Sequence, residues 1–270
     1  MFNKDALQLI LDHHAATAGK DLGTDTQAIL LPESLRVASL EHLQPGRSRF
    51  RGLMSTSSLA DFCAYVLART EPGTQGFVDQ DAMSCRAIFN LGDTDHPGHA
   101  DDAASLQLKP TAAYQALQAL AGRNLSQKEL AEWMEDWNPY LTATVGETSM
   151  GMPQAIAAVR NITIKAASER NHQEGNFNAS RSAMDTIEAQ SQEQLPEALH
   201  FSLVPYEGLG QRTLTLRLSI LTGGDKPSLK PRWVGEEIQR EEIAQEFKRV
   251  LSEKLGDNAV LYLGNFNAGK

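Results

Sequence analysis

The sequence predicts an α+β fold: an antiparallel sheet with packed helices, with a helical N-terminal half and a C-terminal part that sets a sheet against one long helix. Three observations predict it. Leu214, Leu216, Leu218 and Ile220 alternate without a break against Thr213, Thr215, Arg217 and Ser219, the period of a strand with one buried face. Ile243, Phe247, Val250, Leu251 and Leu255 follow at helical spacing. Ser126 and Glu129 form a capping box ahead of a helical stripe of Leu130, Trp133, Met134 and Trp137.

The elements follow in order. Asn3 can cap a short first helix, with Leu7, Ile10, Leu11 and His14 on one face. Residues 16–27 are polar and aperiodic and read as a linker or loop. Ile29-Leu30-Leu31 and the run from Leu35 to Leu40 predict two strands either side of Pro32. Ser58 is a good N-cap for a helix carrying Leu59, Phe62, Cys63, Val66 and Leu67, which should stop near Thr70 before Pro72 and Gly73. The stretch from Phe77 to Leu91 reads as extended, with a turn at Asp79-Gln80-Asp81. Met83, Cys85, Ala87 and Phe89 share one face of it. Pro110 can open a helix with Tyr114, Leu117 and Leu120 inward, closed by Gly122, and Pro139 ends the capping-box helix.

Further on, Ile162, Ile164 and Ala166 alternate as a strand should. Residues 168–194 are rich in Asn, Gln, Ser and Glu, and read as a weak hairpin through Met184 and Ile187 or as a partly mobile arm. Leu199, Phe201 and Leu203 pair with the alternating run through the turn at Pro205 to Gly210. Glu236, Glu237, Glu241 and Glu242 lie toward the start of the long helix and Lys248, Arg249 and Lys254 toward its end, which suits the helix dipole. Gly256 stops it, and Val260-Leu261-Tyr262-Leu263 is a short apolar strand expected at a sheet edge, with Phe266 on a mobile tail beyond it. The expected division is a helix and linker over 1–27, a mixed α/β region over 28–160 and the sheet with the long helix over 161–270.

Composition narrows the function. A formal net charge of -9, from 34 acidic and 25 basic side chains, makes general nucleic-acid binding unfavourable, because phosphate contacts dominate that affinity. Cys63 and Cys85 form no CxxC pair, so zinc-site spacing is missing and reduced, buried thiols are expected. No basic region precedes an apolar run at the N-terminus and no apolar run approaches the roughly 20 residues of a membrane span, so a cytoplasmic protein without membrane partners is expected.

Few patterns point to chemistry. The sequence lacks a Gly-x-Ser-x-Gly elbow, a phosphate-cradling Gly-x-x-x-x-Gly-Lys loop and a dinucleotide fingerprint after a strand. Asp93, Asp95, His96, His99, Asp101 and Asp102 carry suitable groups for a divalent ion, but they sit in one Gly- and Pro-containing stretch that reads equally as a solvated acidic loop. His13 and His14 diverge by about 100 degrees on a helix and cannot chelate together. Arg47, Arg49 and Arg51 would share one side of an extended segment, where guanidinium forks can grip phosphates; the same strip can instead face acidic groups of this chain or of a second subunit.

Leu31-Pro32-Glu33, Asp61-Phe62-Cys63-Ala64-Tyr65-Val66, Ala87-Ile88-Phe89-Asn90, and Ser126-Gln127 through Ala131 to Glu135-Asp136 occur in the order seen in the YfdQ-like family of uncharacterised phage and prophage proteins. The resemblance covers residues 28–140, and His99 departs from it where an aromatic residue is expected. It implies a phage or prophage origin and a bacterial cytoplasm, and it supplies no catalytic residue. The expectation is therefore a non-enzymatic accessory protein acting as a homo-oligomer, with no catalytic, cofactor-binding or metal-binding residue assigned. A binder of nucleic acid or nucleotide through Arg47, Arg49 and Arg51 is the alternative, a metal-dependent enzyme the second alternative, and a host or phage protein a further partner class.

Overall fold

A computed structural model describes residues 4–17, 41–162, 194–221 and 228–267. The strands expected either side of Pro32, the strand expected beyond Ile162 and the hairpin or arm expected over 168–194 lie outside the described residues, save that Gln194 is described. The chain divides into two compact units, Met1–Phe50 and Arg51–Lys270.

In the first unit, α1 (Lys4–Thr17) carries Asp5 in its first turn and His14 in its last, the polarity the helix dipole favours. Leu7, Leu9, Ile10 and Leu11 on it are all more than half exposed. A short 3-10 turn, Glu41–Leu43, is held by Ser48, whose amide and hydroxyl both donate to Glu41 Oε1 at 3.0 and 2.8 Å.

The second unit contains two sheets. Its N-terminal stretch gives β1 (Gly52–Thr56), α2 (Leu59–Arg69), β2 (Gln75–Asp79), β3 (Ser84–Ile88) and β4 (Asp102–Gln107). Then come α3 (Ala112–Leu120), β5 (Leu125–Ser126), α4 (Gln127–Asp136), β6 (Leu141–Val145), β7 (Thr148–Met150) and α5 (Met152–Arg160). The remainder gives β8 (Ala198–Leu203), β9 (Arg212–Leu221), β10 (Ser228–Trp233), α6 (Glu236–Leu255) and β11 (Val260–Leu263). The five-stranded sheet has the order β1-β4-β3-β2-β11, and the six-stranded sheet β5-β10-β9-β8-β6-β7.

This corrects the expected fold class. The N-terminal half is not helical: four of the five strands of the first sheet fall between Gly52 and Gln107. That sheet is also not purely antiparallel, since β1 pairs with β4 and β11 with β2 in parallel. The physical reason lies in the sequence of β4, Asp-Ala-Ala-Ser-Leu-Gln, where five residues are buried or half-buried on both faces. A strand covered on both sides shows no alternation, and small residues give little propensity to read. Parallel pairing needs a long connection, so no local turn announces it.

Several local expectations hold. Ser58 caps α2 by accepting from the Asp61 amide at 3.2 Å. The capping box of α4 is complete: the Glu129 amide donates to Ser126 Oγ at 3.2 Å and the Ser126 amide to Glu129 Oε2 at 2.8 Å. β8 and β9 pair antiparallel with Phe201 opposite Leu214, and α6 ends at Gly256. The helix after Pro110 starts at Ala112, with Thr111 as its cap.

One large core runs through the second unit and includes Phe62, Tyr114, Leu130, Met134, Phe201 and Phe247, all at most 2 % exposed. A smaller cluster of Ile88, Ala100 and Ala103, joined by Phe77, Leu91 and Phe266, covers part of the opposite face of the five-stranded sheet. Among the described residues no helix is long and apolar enough to cross a membrane.

Candidate functional site

The three arginines come first. The chain bends at Ser48 and Arg49, and β1 begins only at Gly52, so residues 47–51 do not form the extended strand that would align their side chains. Arg47 is exposed, while Arg49 and Arg51 are half-buried. Arg47 and Arg49 belong to the first unit and Arg51 to the second.

The acidic stretch from Asp93 to Asp102 is a tightly hydrogen-bonded turn. The Gly98 amide donates to the Leu91 carbonyl at 2.8 Å, and Asp93 Oδ1 accepts from the amides of Asp95 and His96 at 2.9 and 2.6 Å. Three of its acidic side chains have partners: Asp93 within the turn, Asp101 with Asn90 and Asp102 with Arg69 of α2. Asn90 Nδ2 donates to Asp101 Oδ1 at 2.9 Å, and the buried Asp102 pairs with Arg69, whose guanidinium also lies 5.7 Å from the centre of the Phe89 ring. Among the described residues no three His, Cys, Asp or Glu side chains gather as a metal site.

Two other places carry more. The first is the β11 edge of the five-stranded sheet, which has β2 as its one neighbour among the described residues. The amides of Val260 and Gly264 donate to the Thr74 and Val78 carbonyls at 3.2 and 2.8 Å. In a parallel pair only every second residue bonds to the neighbour, so the backbone groups of Leu261 and Leu263 point away from the sheet. Val260, Tyr262 and Leu263 are 55, 48 and 55 % exposed, and the strand contains no charge and no proline. Phe266 is not on a free tail. Its ring stacks on Phe77 at 4.9 Å, and Tyr262 stacks on Phe77 at 5.8 Å from the β11 side.

The second is an open cleft of about 440 Å³ between the β2–β3 turn and α6. Gln80 Nε2 donates to the Ala244 carbonyl at 3.2 Å and ties the two together. Its apolar lining is Met83, Tyr114, Tyr206 and Ile243. The two tyrosine rings lie 5.6 Å apart, and Trp233 meets Tyr114 edge-on at 6.0 Å. Burial raises both tyrosine phenols above their ordinary range, against the opposing pull of Arg240, so both stay protonated. Met83 adopts φ 51, a left-handed backbone that costs a non-glycine residue about 1 kcal/mol or more. Asp81, Glu237 and Glu241 stand exposed at the rim. Arg240 also lines the cleft, but it already donates twice to Glu236 Oε1, at 3.0 and 2.8 Å, and lies 5.4 Å from the Trp233 ring centre.

The polar groups of the lining are the side chains of Gln80, Asp81, Glu237, Arg240, Glu241 and Gln245 and the two tyrosine phenols. Sequence reasoning missed it. Tyr114 reads as core, Tyr206 as part of a turn, and the glutamates as an ordinary helix start; these residues meet only through long-range folding, and no local spacing signals them.

Comparison with known proteins gives one result. A family model described as an uncharacterized conserved protein (DUF2303) matches residues 3–266. No curated protein and no solved structure matches the chain.

Proposed function

We propose, from the premise that the chain belongs to the family of uncharacterized conserved proteins DUF2303, that it is a non-enzymatic module acting as a homo-oligomer joined through β11. The observation that carries this reading is the edge position of β11 beside β2, with its apolar side chains exposed and every second backbone group directed outward. Edge strands of single-chain proteins are commonly blunted by charge, proline or a bulge, and Val-Leu-Tyr-Leu has none of these. Identical subunits favour closed symmetry, and a two-fold axis at this edge pairs β11 antiparallel with its copy. The resemblance of its short motifs to the YfdQ-like family supports a phage or prophage accessory role in the bacterial cytoplasm.

Sedimentation velocity at micromolar concentration is the test. The wild type should sediment above the monomer mass. Leu263→Pro removes one outward amide without touching the bonds to β2, and should shift the protein toward monomer. A wild type that stays at the monomer mass through a tenfold rise in concentration would refute the reading.

A further inference from the structure

We propose that the cleft between the β2–β3 turn and α6 binds a cation carried on an apolar stem, the chemistry of a lysine or arginine side chain or of a small aliphatic amine. The shape supports a bound group. A volume of about 440 Å³ falls within the range typical of ligand sites. Tyr206 is the half-buried aromatic of the lining, and the core residues Tyr114, Met83 and Ile243 back it at 2, 6 and 1 % exposure, so the apolar wall offers a methylene chain and its cation the one ring of Tyr206.

The charge selects the sign. Asp81, Glu237 and Glu241 ring the opening, and none of them is in an ion pair among the described residues. Gln245 donates to Glu241 Oε1 at 3.1 Å, which orients that carboxylate without neutralising it. Arg240 is the one basic group in the lining, and Glu236 already compensates it. The rim is therefore net negative, and an anion entering the cleft would meet three carboxylates before it reached a guanidinium already spoken for. A low-dielectric wall beside these carboxylates strengthens their field at the mouth.

The wall is fixed in place: the Leu108 amide donates to the Met83 carbonyl at 3.0 Å and ties the β2–β3 turn to the end of β4.

The experiment is titration of the full-length protein at low salt, followed by calorimetry and by Trp fluorescence, since Trp233 abuts Tyr114. The probes are cadaverine, agmatine, a tetra-arginine peptide and inorganic phosphate. The cationic probes should bind and phosphate should not. Glu237→Gln with Glu241→Gln should weaken cation binding by about tenfold, and Tyr206→Ala should weaken it further. Glu132→Gln with Glu253→Gln, exposed acids away from the cleft, should leave it unchanged. Tighter binding of the peptide than of the amines assigns the cation to a protein partner, and the reverse assigns it to a small metabolite. Absence of cation binding, preferential binding of phosphate, or equal loss from the remote pair of substitutions would each overturn the proposal.

Discussion

Arg212 Nη2 donates to Glu246 Oε2 at 2.8 Å, and the Gly210 amide donates to the other oxygen of the same carboxylate, also at 2.8 Å. The start of β9 is thereby fastened to the middle of α6, with Glu242 adding a second acceptor for Arg212 at 3.0 Å.

This fastening should show in acid. Burial raises the Glu246 carboxyl, but the Arg212 and Gly210 hydrogen bonds outweigh it and hold the group below the ordinary carboxylate range. A depressed folded value adds stability above the unfolded pKa of about 4.3, and that stability is lost as pH falls through the folded value. Glu246→Gln should therefore cost about 1–2 kcal/mol at neutral pH. Thermal melts at pH 7 and pH 3 check this: the gap between variant and wild type should close at the lower pH.

The turn after β3 has no room for a methyl group. A Cβ on Gly98 would stand 2.0 Å from the Asn90 carbonyl oxygen, and one on Gly92 would stand 2.2 Å from that of His96. Gly98→Ala should destabilise by about 2 kcal/mol or more, because backbone rather than a flexible side chain must move. Hydrogen exchange should locate the opening at residues 90–102, since the amides of Gly98 and Ala100 lose their partners.

Neither cysteine should react in the folded protein. Burial pushes the Cys85 thiol up to about 12, helped by the nearby Cys63, and burial raises Cys63 as well. Thiolate is the reactive form, so a thiol reagent at pH 8 should label neither residue in native protein and both in guanidinium. Rapid native labelling of Cys85 would show that β3 opens on its own.

Phe201 organises the aromatic layer under the six-stranded sheet. Trp133, Trp137 and Tyr140 meet its ring at 5.3, 5.7 and 6.3 Å, and the ring is fully buried. Phe201→Ala should cost about 3–5 kcal/mol. Red-shifted Trp emission in the folded variant would report the loosened packing, and Phe201→Leu should lose less.

The legible parts of the fold are those fixed within one helix or one hairpin. The Ser126–Glu129 capping box, the Ser58 cap and the Leu214 to Ile220 alternation act over a few residues, so spacing alone reveals them. In the five-stranded sheet the extended run over Phe77 to Leu91 was legible and is the β2–β3 hairpin, but β1 and β4 were not, because they join across a parallel seam and Ala103-Ala104-Ser105 carries no alternation. The same limit hid the cleft, whose walls come from segments around residues 80, 114, 206 and 240. The β11 edge was readable from its short apolar run, but the stacking of Phe266 on Phe77 was not, since it depends on a partner near the start of the second unit.

Asn265 Nδ2 donates to Asp79 Oδ2 at 2.7 Å across a separation of 186 residues, at the seam where β11 lies beside β2. Time enters through that separation. Pairings between distant residues form slowly, because the intervening chain must lose its freedom before any contact rewards the closure. Until β11 docks, β2 is itself a raw edge with Phe77 uncovered, and two nascent chains can meet there out of register. Refolding yield should consequently fall with protein concentration more steeply than the stability of the finished molecule suggests.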